Sequence, residues 1–374
     1  MRTSLNLPRA LRHPEWFLVI SLGTCLAFFV AGKAVEQSLN TPATLAIVFL
    51  WLFGVILGSA VCVVRQAEGI AIHLGEPYGT LVLTLSVTFI EVASISAVML
   101  HGANNPTLVR DTLIAVVMII LNGMVGASLL VGAWRYGEQH YNLQGANAYL
   151  GVIIPLVVLA MIMPDYTVTT GGPTLSRMQE RMLQFIMLGL YAVFLGVQTG
   201  RHHGYFESGD ESAKSEHEEP AADRRSLPYS VFMLLLFIAP VVYLAEQLAK
   251  PIDYLVETLH APVALGGVAI AILVATPEAI GAVRAALANK VQRSVNIFLG
   301  SVLSTMGLTV PAMLVISHWT GHPIVLGVEH AAMVLLLLTL ALCVVTFSSG
   351  RTNVLQGLVH LLLFVTFLFL LVQG

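Results

Sequence analysis

The sequence predicts an all-α polytopic membrane protein of about 11 transmembrane helices: one leading helix, then two inverted five-helix repeats. Three observations carry that prediction. Of the 374 residues, 57% are hydrophobic and only 10% charged, with a mean hydropathy of +0.84, whereas a soluble domain carries roughly 25% charged residues. Apolar runs of about 20 residues, the length an α-helix needs to cross the hydrocarbon, recur between charged or Gly/Pro-rich breaks. Two of these runs each hold one glutamate, Glu91 and Glu278, each twelve residues after a glycine, Gly79 and Gly266.

Taken in order, the spans are predicted at 16–35, 43–64, 78–100, 112–134, 146–163, 182–200, 229–249, 261–283, 294–317, 324–346 and 353–373. Arg2, Arg9 and Arg12 precede the first. Basic-then-apolar is also the pattern of a cleaved signal peptide, but this run exceeds the roughly 7–15 residues of a signal core and further spans follow. It is therefore read as a retained helix. Most connections are short. The exception, 201–228, holds Glu207, Asp210, Glu211, Glu216, Glu218, Glu219 and Asp223 beside His202, His203 and His217, and reads as a solvated acidic linker. The predicted organisation is thus 1–42 (tail and leading helix), 43–200 (first repeat), 201–228 (linker) and 229–374 (second repeat).

Lys and Arg collect on the cytoplasmic side of membrane proteins. With the N-terminus inside, thirteen of the 18 fall on that side, leaving Lys33, Arg110, Arg177, Arg181 and Lys250 outside. Arg284, Lys290 and Arg293, after the eighth span, form the strongest local anchor. The expectation is a bacterial inner-membrane protein with a cytoplasmic N-terminus and linker and an external C-terminus. The glutamate span is second in each group of five, and five is odd. The two groups therefore cross in opposite directions, as in transporters that build a midplane site from inverted repeats.

A carboxylate inside a span is costly and marks an ion or proton site by default. An ionised one must be neutralised by a proton or a cation. Two such groups serving one site would bind either protons or a cation, which is the coupling rule of an antiporter. The neighbours suit a hard cation, which takes oxygen ligands. Thr88 and Ser94 lie three residues either side of Glu91, on one helical face. Pro277 denies Leu273 its usual backbone donor, so a helix break there would free carbonyls near Leu273 to Thr276. The next span of each repeat adds Asn122 in one case and Ser301 and Ser304 in the other. The predicted ligand set is Glu91 and Glu278, supported by Thr88, Asn122, Thr276, Ser301 and Ser304. His73, Glu76 and Glu68 read as solvated loop residues, and Glu246, Glu329 and His330 as helix-end groups.

With these residues in place, the chain resembles the calcium:cation antiporter superfamily, and within it the bacterial ChaA-type calcium/proton antiporters. The resemblance spans nearly the whole chain. Gly300-Ser301 and Leu308-Thr-Val-Pro311 match the second repeat of that superfamily. Its Gly-Asn-x-x-Glu motif is matched at the glutamates only, because Val87-Thr88 and Val274-Ala275 stand where Gly-Asn would. The resemblance implies exchange of cytosolic Ca2+ for external protons by alternating access, one helix bundle moving against the other. Exchange of Na+ or K+ for protons, and Na+/Ca2+ exchange, stay open, as does a passive cation channel. An intramembrane protease ranks last, since no paired intramembrane aspartates are present. Apart from the transported cation and protons no cofactor is expected, and the partners are lipid and inorganic cations. A net charge of −3 gives no reason to expect nucleic acid, Cys25, Cys62 and Cys343 read as small core residues, and no P-loop or hydrolase motif is present.

Overall fold

The computed structural model describes residues 14–75, 78–100, 105–171, 173–207, 226–259, 261–262 and 264–373. Arg2, Arg9, Arg12, Glu76 and linker residues 208–225 lie outside them. Among the described residues, eleven helices are long and apolar enough to cross a membrane. They are α1 (Pro14–Ser38), α2 (Pro42–Leu74), α3 (Tyr78–Met99), α4 (Leu108–Tyr136), α5 (Leu143–Tyr166), α6 (Arg177–Thr199), α7 (Leu227–Asp253), α8 (Ala264–Leu287), α9 (Val291–Thr320), α10 (His330–Phe347) and α11 (Val354–Gln373). Every predicted span has its helix, and among the described residues the only extended pairing is an isolated bridge between His140 and Arg351.

Beyond shifts of up to five residues at other helix ends, three departures from the sequence reading stand out. α2 runs ten residues past its predicted end, so Glu68 and His73 are helical rather than in a loop. Nothing from Arg65 to Leu74 breaks a helix; Gly75, at a φ of 65°, is the first residue that ends it easily. At about 50 Å, α2 exceeds the roughly 30 Å hydrocarbon, which leaves its polar end room beyond the lipid core. α10 begins only at His330, because 322–329 is non-helical. Ile324, Leu326 and Val328 are buried there, and the amides of Val325 and Val328 donate to Pro106 O and Met161 O. Non-helical backbone is tolerated here because protein rather than lipid satisfies it. Finally, the first residues of the linker are packed, not solvated. Phe206 is buried against Tyr149 and Phe194, while Asn142 and Asn296 donate to the carbonyls of Gly204 and Phe206.

The helices form two compact units. One contains α1, α2, α3 and α7: α2, α3 and α7 pack on one another, with α1 against α2 and α7. There Lys250 Nζ lies 2.8 Å from Glu36 Oε2, and the Phe17 ring fills the space beside Gly58. The other contains the remaining seven helices, with α4 against α8 and α11, α8 against α9, and α5 against α9 and α10.

In the seven-helix unit, α4 and α11 touch backbone to backbone. A Cβ on Gly126 would lie 2.9 Å from Gly357 O, and one on Gly357 would lie 2.6 Å from Leu130 N. Small residues permit such approaches in lipid, where packing rather than hydrophobicity joins helices. Gly126→Val is therefore expected to cost about 1–3 kcal/mol and to lower the melting temperature of the detergent-solubilised protein. Gly151→Ala, where nothing lies within 4 Å of an added Cβ, should leave it unchanged or slightly higher, as scanning fluorimetry would record.

Candidate cation-binding site

The two glutamates belong to different units: Glu91 to the four-helix unit and Glu278 to the seven-helix unit. Glu91 sits two-thirds of the way along α3 and is 2% exposed. Thr88 and Ser94, one turn to either side, are also buried. Their hydroxyl oxygens, Thr88 Oγ1 and Ser94 Oγ, have no hydrogen-bond partner. Buried hydroxyls normally find a partner or a water. Two unpartnered ones thus flank one buried carboxylate. Gly79 explains the start of the motif differently. A Cβ there would lie 2.7 Å from Ala71 O, so the glycine serves the tight α2–α3 turn and not the site.

Around Glu278 the donors come from the next helix. Ser301 on α9, itself buried, donates its hydroxyl to Glu278 Oε2. Ser304 Oγ is committed to Ser301 O at 2.9 Å, and Thr276 Oγ1 to Ile272 O within its own helix. Of the predicted ligands in this unit, then, the structure joins Ser301 to Glu278 and leaves Ser304 and Thr276 bonded to backbone. The tight approach near the glycine pair falls on Gly267, where a Cβ would lie 2.7 Å from Thr112 N.

Two expectations need correction. Pro277 does not break α8, which is continuous from Ala264 to Leu287. Proline removes one backbone bond, but lipid offers the surrounding backbone no water in exchange for unwinding, so the helix persists. Pro155, Pro240 and Pro251 are likewise accommodated within helices. Asn122, expected as a cation ligand, is committed elsewhere: its Nδ2 donates to Thr339 Oγ1 at 2.8 Å, and its Oδ1 lies 3.2 Å from His360 Nδ1.

The departures from ideal helix lie elsewhere. α4, α5 and α9 contain wide, π-type turns, at Ile119–Met124, Val158–Ile162 and Thr305–Thr309, and a fourth, Tyr254–Thr258, follows α7. Such turns concentrate at functional sites. Those of α4 and α9 occupy the third helix of each predicted repeat, and the α4 turn holds Asn122 and packs against both α8 and α9. The sequence reading missed Ser128, whose buried Oγ lacks a partner, and His360. His360 could have been found, because an ionisable group inside an apolar run is a signal in itself. Apart from these, Arg110 holds a polar cluster at one end of the seven-helix unit, 2.8 Å from Asp111 Oδ1 and 3.3 Å from Glu329 Oε1. It lines a cavity of about 440 Å³ with Asp165, Thr167 and His330. Glu246 is exposed on α7.

The model of the sodium/calcium exchanger protein family matches residues 44–200 and again 229–373. The chain belongs to that family. It is 38% identical over 361 residues, 96% of each chain, to the sodium-potassium/proton antiporter ChaA of Escherichia coli (strain K12). It is 25% identical over 263 residues, 66% of this chain and 72% of the relative, to the Ca(2+)/H(+) antiporter ChaA of Bacillus subtilis (strain 168). In fold it is similar to the solved structure of native YfkE (TM-score 0.73, 20% identity, covering 96% of this chain and 100% of that one). It is also similar to the H+/Ca2+ exchanger CAX (TM-score 0.66, 13% identity, covering 95% and 88%). This member of the family is a multi-pass membrane protein with eleven spans and no regular strands among its described residues.

The hydroxyls make a direct comparison possible. Ser301→Ala removes the donor to Glu278 and is expected to weaken apparent cation affinity about tenfold, as loss of a group supporting an ion ligand does. Thr276→Ala, whose hydroxyl serves its own helix, should change it less than twofold. Initial rates of cation uptake in everted membrane vesicles, measured against cation concentration, check both.

Proposed function

We propose that this protein is a secondary transporter that exports cytosolic Ca2+ in exchange for external protons by alternating access, with Glu91 and Glu278 as the exchanging groups. The observation that carries the reading is the setting of the two carboxylates. Each lies within an apolar helix, one flanked by unpartnered buried hydroxyls and the other bonded to Ser301. Deprotonated, such a group holds a cation; protonated, it is neutral and releases it. Proton and cation cannot both be held comfortably, and that exclusion couples the two fluxes. The transported cation is substrate and the chemistry is ion exchange, so no covalent step is involved. Thr88, Ser94 and Ser301 supply the neutral oxygens that a hard cation requires beside its carboxylates.

The distribution of Lys and Arg supports an inner-membrane location with the N-terminus and linker cytoplasmic and the C-terminus outside. The double family match, at 44–200 and 229–373, supports two repeats either side of the linker.

A second reading, Na+ or K+ in exchange for protons, is favoured by two observations. The 38%-identical relative carries the name sodium-potassium/proton antiporter. Thr88 and Ala275 stand beside the glutamates where the superfamily motif would place amide oxygens. Fewer neutral ligands suit a divalent ion less well, since Ca2+ takes six to eight oxygens.

Everted vesicles energised with a pH gradient separate these readings. The expected result is Ca2+ uptake that collapses with the gradient and falls by about two orders of magnitude or more in Glu91→Gln and in Glu278→Gln, the loss typical of deleting a group essential to a coupled step. Uptake of Na+ or K+ with no Ca2+ uptake would establish the second reading. Normal Ca2+ uptake in either variant would overturn the assignment of the glutamates.

A further inference from the structure

His360 is the imidazole that the exchange mechanism leaves unused, and it is fully buried in α11, within an otherwise apolar run. Such a ring is tolerated only when both nitrogens are satisfied. Both are. Nδ1 lies 3.2 Å from Asn122 Oδ1 on α4, and Nε2 lies 3.0 Å from Thr346 Oγ1 on α10. Asn122 Nδ2 donates to Thr339 Oγ1 at 2.8 Å, and the Thr339 hydroxyl donates to Leu335 O at 2.8 Å.

The direction of this chain is fixed from its far end. With its own hydrogen given to Leu335 O, Thr339 Oγ1 can only accept from Asn122, so the amide NH2 of Asn122 faces Thr339 and its oxygen faces His360. A carboxamide oxygen only accepts. The imidazole therefore carries its hydrogen on Nδ1, and Nε2 accepts from Thr346. One neutral tautomer ties α4, α10 and α11 together.

The tie lands on the wide turn Ile119–Met124, which packs against α8 and α9, the helices of Glu278 and Ser301. The backbone contact of Gly126 with Gly357 lies one turn from Asn122 and one turn from His360, and so sets their register. From this we infer that His360 is a positioning residue for the cation site: through Asn122 it holds the wide turn of α4 in the shape that supports Glu278 and Ser301. Asn122 then acts as the link in this lock and not as a direct ligand. The inference rests on the reading of Glu278 as an ion-binding group.

The test compares full-length wild type, His360→Leu, Asn122→Leu, the double variant, His360→Asn and Glu278→Gln in everted vesicles. Ca2+ and, in parallel, Na+ serve as probes. Each single leucine variant is expected to raise the apparent KM about tenfold, as loss of a supporting partner does, with a smaller change in kcat per folded protein. The double variant should be no worse than the worse single one, because the two residues act as one unit. His360→Asn keeps an N–H where Nδ1 stands and should return KM to within about threefold of wild type. A wild-type KM in His360→Leu, or two single effects that multiply in the double variant, overturns the proposal. So does a folded His360→Asn protein with the leucine phenotype.

A second readout is independent of transport. In ¹⁵N-histidine-labelled protein, the His360 signals, identified by their loss in His360→Leu, should show Nδ1 protonated and Nε2 bare. The opposite tautomer or a doubly protonated ring overturns the bonding pattern. A Glu278→Gln control that transports like wild type overturns the reading of Glu278, and with it the positioning role, while the tautomer result stands.

Discussion

Polar groups inside a membrane protein have no water to fall back on, so each must find its partner within the chain or in what the chain carries. Most buried polar side chains among the described residues obey this constraint. Thr339 is bonded to Leu335, Asn122 to Thr339, His360 to both Asn122 and Thr346, and Ser301 to Glu278. The exceptions are Thr88 Oγ1 and Ser94 Oγ, beside Glu91, together with Ser128 Oγ, Gln139 Oε1, Ser294 Oγ and His322 Nδ1. In a soluble protein two orphan hydroxyls would be a small defect. Here those of Thr88 and Ser94 flank a buried carboxylate inside an apolar helix, the setting on which the proposed exchange rests. The same constraint keeps α8 helical through Pro277.

Close backbone packing and wide turns work together in the seven-helix unit. Gly126 and Gly357 bring α4 and α11 into backbone contact, which makes the Asn122–His360 bond possible. A wide turn inserts one extra residue and so rotates the side chains beyond it relative to those before it. In α4 that rotation lets one helix bury Asn122 among α10 and α11 and still pack its other turns against α8. In α9 the turn at Thr305–Thr309 follows directly after Ser301 and Ser304. Gly307 within it lies against the Tyr191 ring, which no side chain there would permit.

Much of this was legible in the residues. Each of the eleven spans follows from apolar length alone, since no other signal is as strong in lipid. The glutamates stood out because a charge inside a span is costly, and Ser301 stood out by its place one helix later. What was not legible has physical causes. Helix ends were misplaced where polarity and helix formation part company, as from Arg65 to Leu74, which is polar and yet helical. The wide turns leave no mark in composition, since residues such as Ile119 and Met306 suit either helix type. Asn122 was read as a ligand because its partner, His360, lies more than 200 residues away, on a helix that sequence order does not place beside α4. Pro277 was read as a break of the kind transporter helices use, whereas α8 stays helical through it.

The central claim is that protons and a cation compete for the same carboxylates. The direct measurement is proton release when Ca2+ or Na+ is added to purified, weakly buffered protein in detergent. Competition predicts a saturable release that disappears in Glu91→Gln and in Glu278→Gln. Saturable cation binding with no proton release, or release unaltered by either substitution, would contradict it.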